Sequence, residues 1–223
     1  MSTLALVPAH NEAPRVEAVV RGVAVHLPLL VVDDGSSDGT AAVAEAAGAA
    51  VLRQTPNQGK GMALKAGFRW ALERGYDAVV TLDADGQHDP TEIPLFLAAA
   101  ADGAAQLVIG AREFHTMPPS RRLANTLGAA TLRWALGQTI RDNQSGYRLI
   151  RRPLIEAMLE SAEAGFEFEV EMIVVAIERT WPIRWVPIRT IYGDESSHIR
   201  PWPHIVGFVR TALRLRRRLR AVR

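Results

Sequence analysis

An α/β fold on a mainly parallel sheet is predicted by three features of this 223-residue chain. Short apolar runs alternate with amphipathic segments through the first half, the βαβα order that gives parallel sheets. The runs are rich in Val, Leu and Ile and almost unbroken in apolar character, as strands covered on both faces are. The runs end in turns rich in Gly and in acidic or polar residues, and folds of this class bind ligands at the carboxyl ends of their strands.

Leu4–Pro8, Leu29–Val32, Ala50–Leu52, Ala78–Leu82 and Gln106–Ile109 read as strands. Pro14–Val25, Asp38–Ala47, Gly61–Arg74 and Thr91–Ala101 read as the helices between and after them. Pro14 suits a first helical turn, where the N–H it lacks has no helical partner anyway. Asp38 and Thr40 are candidate caps. The second half is less regular. It reads as a helix over Arg121–Leu136, a polar loop over Asp142–Gly146, helices over Arg152–Glu160 and Phe168–Thr180, a short strand over Ile183–Ile188 and a loop over Tyr192–Pro203. Trp70 and Trp134 lie in apolar helical stretches and are expected in the core. One domain over residues 1–203 and a separate helix over 204–223 result.

Hydrophobic residues make up 48% of the chain and charged residues 22%, which excludes disorder as the main state. The absence of cysteine excludes disulfides and thiolate metal sites. No signal peptide is expected at Met1–Ala9, and no uncharged apolar run approaches the roughly 18–20 residues that span a bilayer.

The net charge of +2 conceals an asymmetry: His204–Arg223 holds seven arginines and no acid, leaving the first 203 residues at −5. In that tail Ile205, Phe208, Val209, Ala212, Leu215, Leu219 and Val222 recur at helical spacing, with Arg210, Arg214, Arg217 and Arg218 mostly off the stripe. A basic amphipathic helix suits the anionic cytoplasmic leaflet. The bland alternative is a helix packed on the domain with its arginines in water. No nucleic-acid partner is expected, since neither a recognition motif nor stacking aromatics accompany the arginines.

Four segments carry the chemistry. In Thr81-Leu82-Asp83-Ala84-Asp85-Gly86-Gln87-His88 an apolar strand ends in two acids one residue apart, which extended backbone points the same way. Two converging carboxylates repel unless a cation lies between them or one is protonated. Such oxygens, with Gln87, suit Mg²⁺ or Mn²⁺, substrate phosphates completing the shell. The plain alternative is a solvated acidic turn. Val31-Val32-Asp33-Asp34-Gly35-Ser36-Ser37-Asp38-Gly39-Thr40 is a second acid-ended strand, fit to meet a nucleobase or ribose, although turn and cap chemistry explains part of it. Val7-Pro8-Ala9-His10-Asn11-Glu12 also follows a strand. Asn57-Gln58-Gly59-Lys60-Gly61 is a glycine turn bearing a lysine before a helix, without the spacing of a P-loop.

In this order the four segments resemble the family 2 inverting glycosyltransferases of the GT-A fold, and within them the dolichyl-phosphate mannose synthases and related polyprenyl-phosphate glycosyltransferases. The resemblance spans roughly residues 4–203. It implies a GT-A fold and transfer of a sugar from a UDP- or GDP-linked donor to a membrane polyprenyl or dolichyl phosphate. Pro8, Ala9, Asn11, Glu12, Asp33, Asp34, Lys60, Asp83 and Ala84 would line the nucleotide-sugar pocket. Asp83, Asp85 and Gln87 would hold Mg²⁺ or Mn²⁺ against the diphosphate. Gly110-Ala111-Arg112 resembles the segment whose arginine meets the acceptor phosphate, and Arg121 and Asn125 fall where that group carries an arginine and a serine for it. Asp142-Asn143-Gln144-Ser145-Gly146-Tyr147-Arg148 and Phe168-Glu169-Val170-Glu171-Met172 resemble two further family stretches. The family's lysine after a serine, placed for the leaving diphosphate, is replaced by His198 after Ser197, and His10 stands where an aromatic residue is usual.

The resemblance implies single displacement with inversion, with Asp85, Arg112, Arg121 and Glu169 as the catalytic group. An anionic phosphate acceptor needs no general base. A hydroxyl acceptor does, and Glu169 is then the choice. Only one of Glu169 and Glu171 is expected to face the site, since residues two apart on a helix diverge. His88 is expected to support the Asp83–Gln87 loop. A peripheral place on the inner face of the membrane follows from the tail and the acceptor. A hydroxyl-acceptor transferase of the same fold, a nucleotidyltransferase and a non-catalytic nucleotide-sugar-binding protein are the alternatives.

Overall fold

The apolar runs fold as strands at the positions their composition predicts. The structure is a computed structural model that describes residues 1–112, 131, 133–163, 165, 168–189, 191 and 216. Its strands are β1 (Thr3–Ala9), β2 (Leu29–Asp34), β3 (Ala50–Gln54), β4 (Ala78–Thr81), β5 (Leu107–Arg112), β6 (Arg148–Arg151) and β7 (Ile183–Ile188). Its helices are α1 (Ala13–Ala24), α2 (Thr40–Ala46), α3 (Lys60–Glu73), α4 (Ile93–Ala99), α5 (Arg152–Glu160) and α6 (Phe168–Glu178). Among the described residues one sheet runs β3-β2-β1-β4-β6-β5-β7. Every neighbouring pair is parallel except the two that β6 makes, with β4 and with β5.

Alternation along each strand fills two cores. Leu4, Leu6, Leu30, Val32 and Val79 pack with Leu64 and Phe68 of α3, Leu154 of α5 and Ile173 of α6. Ala5, Val7, Leu29, Val31 and Val80 face the other way, onto Val16 of α1, Ala44 of α2 and Phe96 of α4. Each fully buried Leu or Phe contributes about 1.5–3 kcal/mol, and burial on both faces is why these strands read as unbroken apolar runs. α3 lies close on β1 because a Cβ at Gly67 would stand 2.3 Å from Leu6 Cδ1.

Three expectations are corrected. β6 is absent from the sequence reading because Arg-Leu-Ile-Arg has only two apolar residues between charges, too short a pattern to register a strand. The helix expected over Thr91–Ala101 is a 3₁₀ turn, Pro90–Glu92, followed by α4. Pro94 has no N–H to donate to the Pro90 carbonyl, so α-helical bonding is delayed, and Asp89 caps the turn by accepting from Thr91 N–H at 2.9 Å. Trp134 is not in the core. It is 54% exposed, and the Arg216 guanidinium lies 3.9 Å from its ring centroid, so the one described tail residue meets the domain there. Trp70 is half-buried, stacked on Tyr76 with ring centroids 6.3 Å apart. Among the described residues, no helix is long and apolar enough to cross a membrane.

Candidate active site

The carboxyl ends of β1, β2 and β4 are adjacent in the sheet, so the turns leaving them open on one edge. The first two turns interlock. Asn11, held at φ 56°, accepts from Ser37 N–H at 2.9 Å and donates its own N–H to Ser36 Oγ at 2.9 Å. Glu12 N–H donates to Thr40 Oγ1 at 2.8 Å, and Ala13 N–H to Asp38 at 3.1 Å. Asp38 thus accepts the first N–H of two helices, that of α2 from Thr40 at 3.1 Å and that of α1 from across the turn. Its carboxyl is held below the usual range chiefly by the Thr40 hydroxyl. His10 Nδ1 lies 2.9 Å from the Asp34 carbonyl, which also accepts from Asn57 Nδ2 at 2.9 Å. Pro8 and Ala9 are buried beneath.

The two aspartates ending β2 divide their work. Asp33 accepts from Ser36 N–H at 3.2 Å. Asp34 is 3% exposed, and its two carboxylate oxygens accept from Gln58 N–H at 2.8 Å and Gly59 N–H at 2.7 Å. It therefore holds the turn that presents Lys60.

Lys60 begins α3 and carries the centre of the site. Its ammonium lies 2.6 Å from Asp83 Oδ1 and 2.9 Å from Glu169 Oε1. Gly146 leaves room for this ion pair, because an added Cβ would lie 2.7 Å from Asp83 Oδ2 and 3.0 Å from both Oδ1 and Lys60 Nζ. The antiparallel register of β4 with β6 brings them together. Thr81 pairs with Arg148, so Asp83, two residues on, comes opposite Gly146, two residues back. Thr81 Oγ1 locks this approach by donating to the Gly146 carbonyl at 2.7 Å.

Burial works against a charged Asp83, but the attraction of Lys60 and its hydrogen bond to the carboxylate outweigh it and hold the carboxyl at about 2. At Lys60 burial opposes the charge, and Asp83 and Glu169 together raise its pKa. His88 is 8% exposed. Its Nδ1 accepts the Asp83 N–H at 3.1 Å, a bond that needs the ring unprotonated at Nδ1, and burial lowers its pKa to match. Its ring rests on Tyr147 at 5.1 Å between centroids, so it supports the loop as expected. Asp85 Oδ1 accepts Gln87 N–H at 2.9 Å, shaping the turn, while the Gln87 carbonyl accepts from Ile191 N–H at 3.1 Å. Ala84 is buried.

Arg112 ends β5 with its guanidinium forked onto buried Asp142, Nε to Oδ2 at 2.6 Å and Nη2 to Oδ1 at 2.9 Å. Arg148, 1% exposed, donates to three carbonyls: Ser145 at 2.8 Å, Asn143 at 3.1 Å, and Glu169. It fastens the Asn143–Gly146 loop to the start of α6. Burial lowers its pKa, partly offset by Glu169, Asp142 and Asp83. Glu169 reaches the site through Lys60, and Glu171 is buried. Sequence reading assigned no role to Asp142, Gly146 or Arg148. Their only signal is membership of the Asp142–Arg148 stretch. Arg121, Asn125, Ser197 and His198 lie outside the described residues.

Among the described residues, Lys60, Arg112 and Arg148 are set among the carboxylates of Asp83, Asp142 and Glu169. Among the described residues no group of three or more His, Cys, Asp or Glu is arranged to enclose a metal. The carboxylate oxygens of Asp83 and Asp85 are hard donors that suit a divalent ion of the kind that takes one or two carboxylates and leaves the remaining positions to substrate phosphates and water.

Comparison with known proteins gives the chain its family. The profile of glycosyl transferase family 2 matches residues 5–176. Undecaprenyl-phosphate mannosyltransferase of Micrococcus luteus is 37% identical over 187 residues, covering 77% of this chain and 76% of that protein. Polyprenol monophosphomannose synthase of Mycolicibacterium smegmatis is 38% identical over 202 residues, covering 83% and 76%. Among solved structures, glucosyl-3-phosphoglycerate synthase from Mycobacterium tuberculosis, in complex with Mn²⁺, uridine diphosphate and glucosyl-3-phosphoglycerate, superposes with a TM-score of 0.72 at 23% identity. It covers 96% of this chain and 78% of that one. That likeness is one of fold, GT-A-like with a mostly parallel central sheet flanked by helices. With a profile spanning most of its length and relatives above one-third identity over three quarters of it, the chain belongs to glycosyl transferase family 2.

Proposed function

We propose that this protein is an inverting glycosyltransferase that moves a sugar from a nucleotide-diphosphate donor to a membrane polyprenyl phosphate. The observation that carries the reading is the convergence of Lys60, Asp83 and Glu169 at the carboxyl edge of the sheet. The names of the Micrococcus and Mycolicibacterium relatives, both polyprenol-linked, support the acceptor class. Pro8, Ala9, Asn11, Glu12 and Asp33 form the nucleoside side of the pocket, with Asp34 acting through the Gln58–Gly59 turn. Asp83, Asp85 and Gln87 would hold Mg²⁺ or Mn²⁺, which supplies positive charge to the departing diphosphate. Arg112, oriented by Asp142, is placed to bind the acceptor phosphate, for which a guanidinium fork is suited; Arg121 and Asn125 complete that assignment, and Ser197 and His198 are assigned to the diphosphate. An ionised phosphate attacks without a base. Glu169, the base proposed for a hydroxyl acceptor, has its Oε1 in an ion pair with Lys60, so that role competes with an existing contact.

Transfer from radiolabelled UDP- and GDP-sugars to polyprenyl phosphate is expected to require Mg²⁺ or Mn²⁺. Asp85→Ala should reduce it by about a hundredfold or more, the scale of losing one transition-state charge stabiliser. Normal turnover by Asp85→Ala in the presence of chelator would defeat the reading.

The tail, residues 204–223, is proposed to dock on the anionic cytoplasmic leaflet while packing on the domain. The contact of Arg216 with Trp134 supports the packed half of this proposal. Flotation with anionic liposomes should carry the full chain and lose a chain ending at Pro203. Equal flotation of both rules out a membrane role for the tail.

A further inference from the structure

Lys60 is held from both ends. The Asp34 carboxylate fixes the backbone just before it, and its ammonium bridges Asp83 Oδ1 at 2.6 Å and Glu169 Oε1 at 2.9 Å. α3 grips the segment around α6 a second time through buried Lys65, whose Nζ donates to the Ser161 carbonyl and lies 5.6 Å from the Phe168 ring centroid. The Asp83 carboxylate thus has an ammonium on one oxygen, and beside the other there is room only because Gly146 carries no side chain. A Mg²⁺ ion sits about 2.0–2.1 Å from a ligating carboxylate oxygen. Placed on Asp83, it would stand within a few ångströms of the Lys60 ammonium, where like charges in a partly desolvated site repel strongly. Asp83 can serve Lys60 or the metal fully, but not both at once. The four-carbon stem lets the lysine move, and a diphosphate brings the negative charge it would move to.

We propose that Lys60 is an internal counter-ion that occupies the Asp83 carboxylate until a divalent cation arrives together with a diphosphate, and that Lys60 then passes from Asp83 to the diphosphate while Glu169 retains it. This rests on the reading of Asp83 as a metal ligand. Its consequence is that the metal and the diphosphate bind cooperatively. The metal alone must displace a paired ammonium with nothing to receive it, whereas the metal with diphosphate offers that ammonium a new partner. Lys60 is in this sense a positioning residue for the metal as well as a contact for the donor.

The test uses the full chain and Mn²⁺ alone, with free Mn²⁺ followed by electron paramagnetic resonance. Lys60→Met, which keeps the bulk of the stem, should bind Mn²⁺ about tenfold more tightly than wild type. Lys60→Arg, which keeps the charge, should bind as wild type does. Inorganic pyrophosphate should tighten Mn²⁺ binding in wild type by a larger factor than in Lys60→Met. Unchanged or weaker Mn²⁺ binding by folded Lys60→Met overturns the proposal. A measurement on wild type does not depend on any variant folding. The ¹⁵N resonance of the Lys60 ammonium should move on addition of Mg²⁺ with pyrophosphate and stay in place with the same Mg²⁺ alone; no movement with both overturns the proposal. If metal-dependent transfer persists in wild type while Lys60→Met leaves Mn²⁺ affinity unchanged, only the counter-ion role falls. If wild type and both variants bind no Mn²⁺, with or without pyrophosphate, the metal reading falls with it.

Discussion

Gly146→Ala is expected to lower kcat/KM by about a hundredfold or more while leaving the fold in place. The new methyl would lie 2.7 Å from Asp83 Oδ2 and 3.0 Å from both Asp83 Oδ1 and Lys60 Nζ, closer than real Cβ contacts allow. Something must move, and what moves is the Asp83 carboxylate and the Lys60 ammonium, the two groups at the centre of the site, because the backbone around them is held. The Gly146 carbonyl is bonded to Thr81 at 2.7 Å, and Asp83 is tied to Lys60 and, through its N–H, to His88. A shift of about 1 Å in a positioned group costs on the order of 10²-fold in rate, whereas overpacking of this kind costs about 1–3 kcal/mol of stability. Steady-state kinetics beside a urea unfolding curve separates the two. Near-normal kcat/KM in Gly146→Ala would show that Asp83 need not occupy this position for catalysis.

Arg148→Met is expected to destabilise the protein by about 3 kcal/mol or more. The side chain is fully buried and its donors go to the carbonyls of Asn143, Ser145 and Glu169. Methionine fills much of the volume but leaves those carbonyls without donors, at about 1–3 kcal/mol for each left unsatisfied. Arg148→Lys should recover part of the loss, because one ammonium cannot span the three acceptors that a guanidinium fork reaches. Chemical denaturation midpoints measure both. Activity of Arg148→Lys under conditions where it is folded should fall as well, since the arginine sets the loop that covers Asp83 and the start of the helix that carries Glu169. An Arg148→Met variant within 1 kcal/mol of wild type would mean that the loop holds its shape by other contacts.

Much of the strand-end edge that forms the candidate site is legible in the sequence alone. Asp33 and Asp34, Asp83 and Asp85, and the His10–Glu12 turn each terminate an apolar run, and in a parallel sheet the ends of such runs gather on one edge. The Asn57–Lys60 turn could be placed before a helix for the same reason. The partners of these groups could not be read. Lys60, Asp83 and Glu169 come from three distant segments, and no local pattern says that one ammonium will bridge the two acids. Asp34 looks as fit for a ribose as Asp33, and only its bonds to the Gln58 and Gly59 N–H groups reveal that it holds a turn. Arg148 carries no mark of burial, because arginine is ordinarily a surface residue and its three acceptors lie in segments that the fold brings together. Trp134 misled in the opposite direction, its apolar helical setting pointing inward while the Arg216 contact keeps it at the surface.

What the sequence determined by itself is the alternation of strand and helix and the placing of acids at strand ends, because side-chain periodicity and turn chemistry act over a few residues. What the tertiary structure alone decided is which of those ends meet. The antiparallel insertion of β6 beside β4, in the register that pairs Thr81 with Arg148, sets Gly146 against Asp83. That register is fixed by which faces of two strands are buried together, a property of the packed sheet and of neither strand alone.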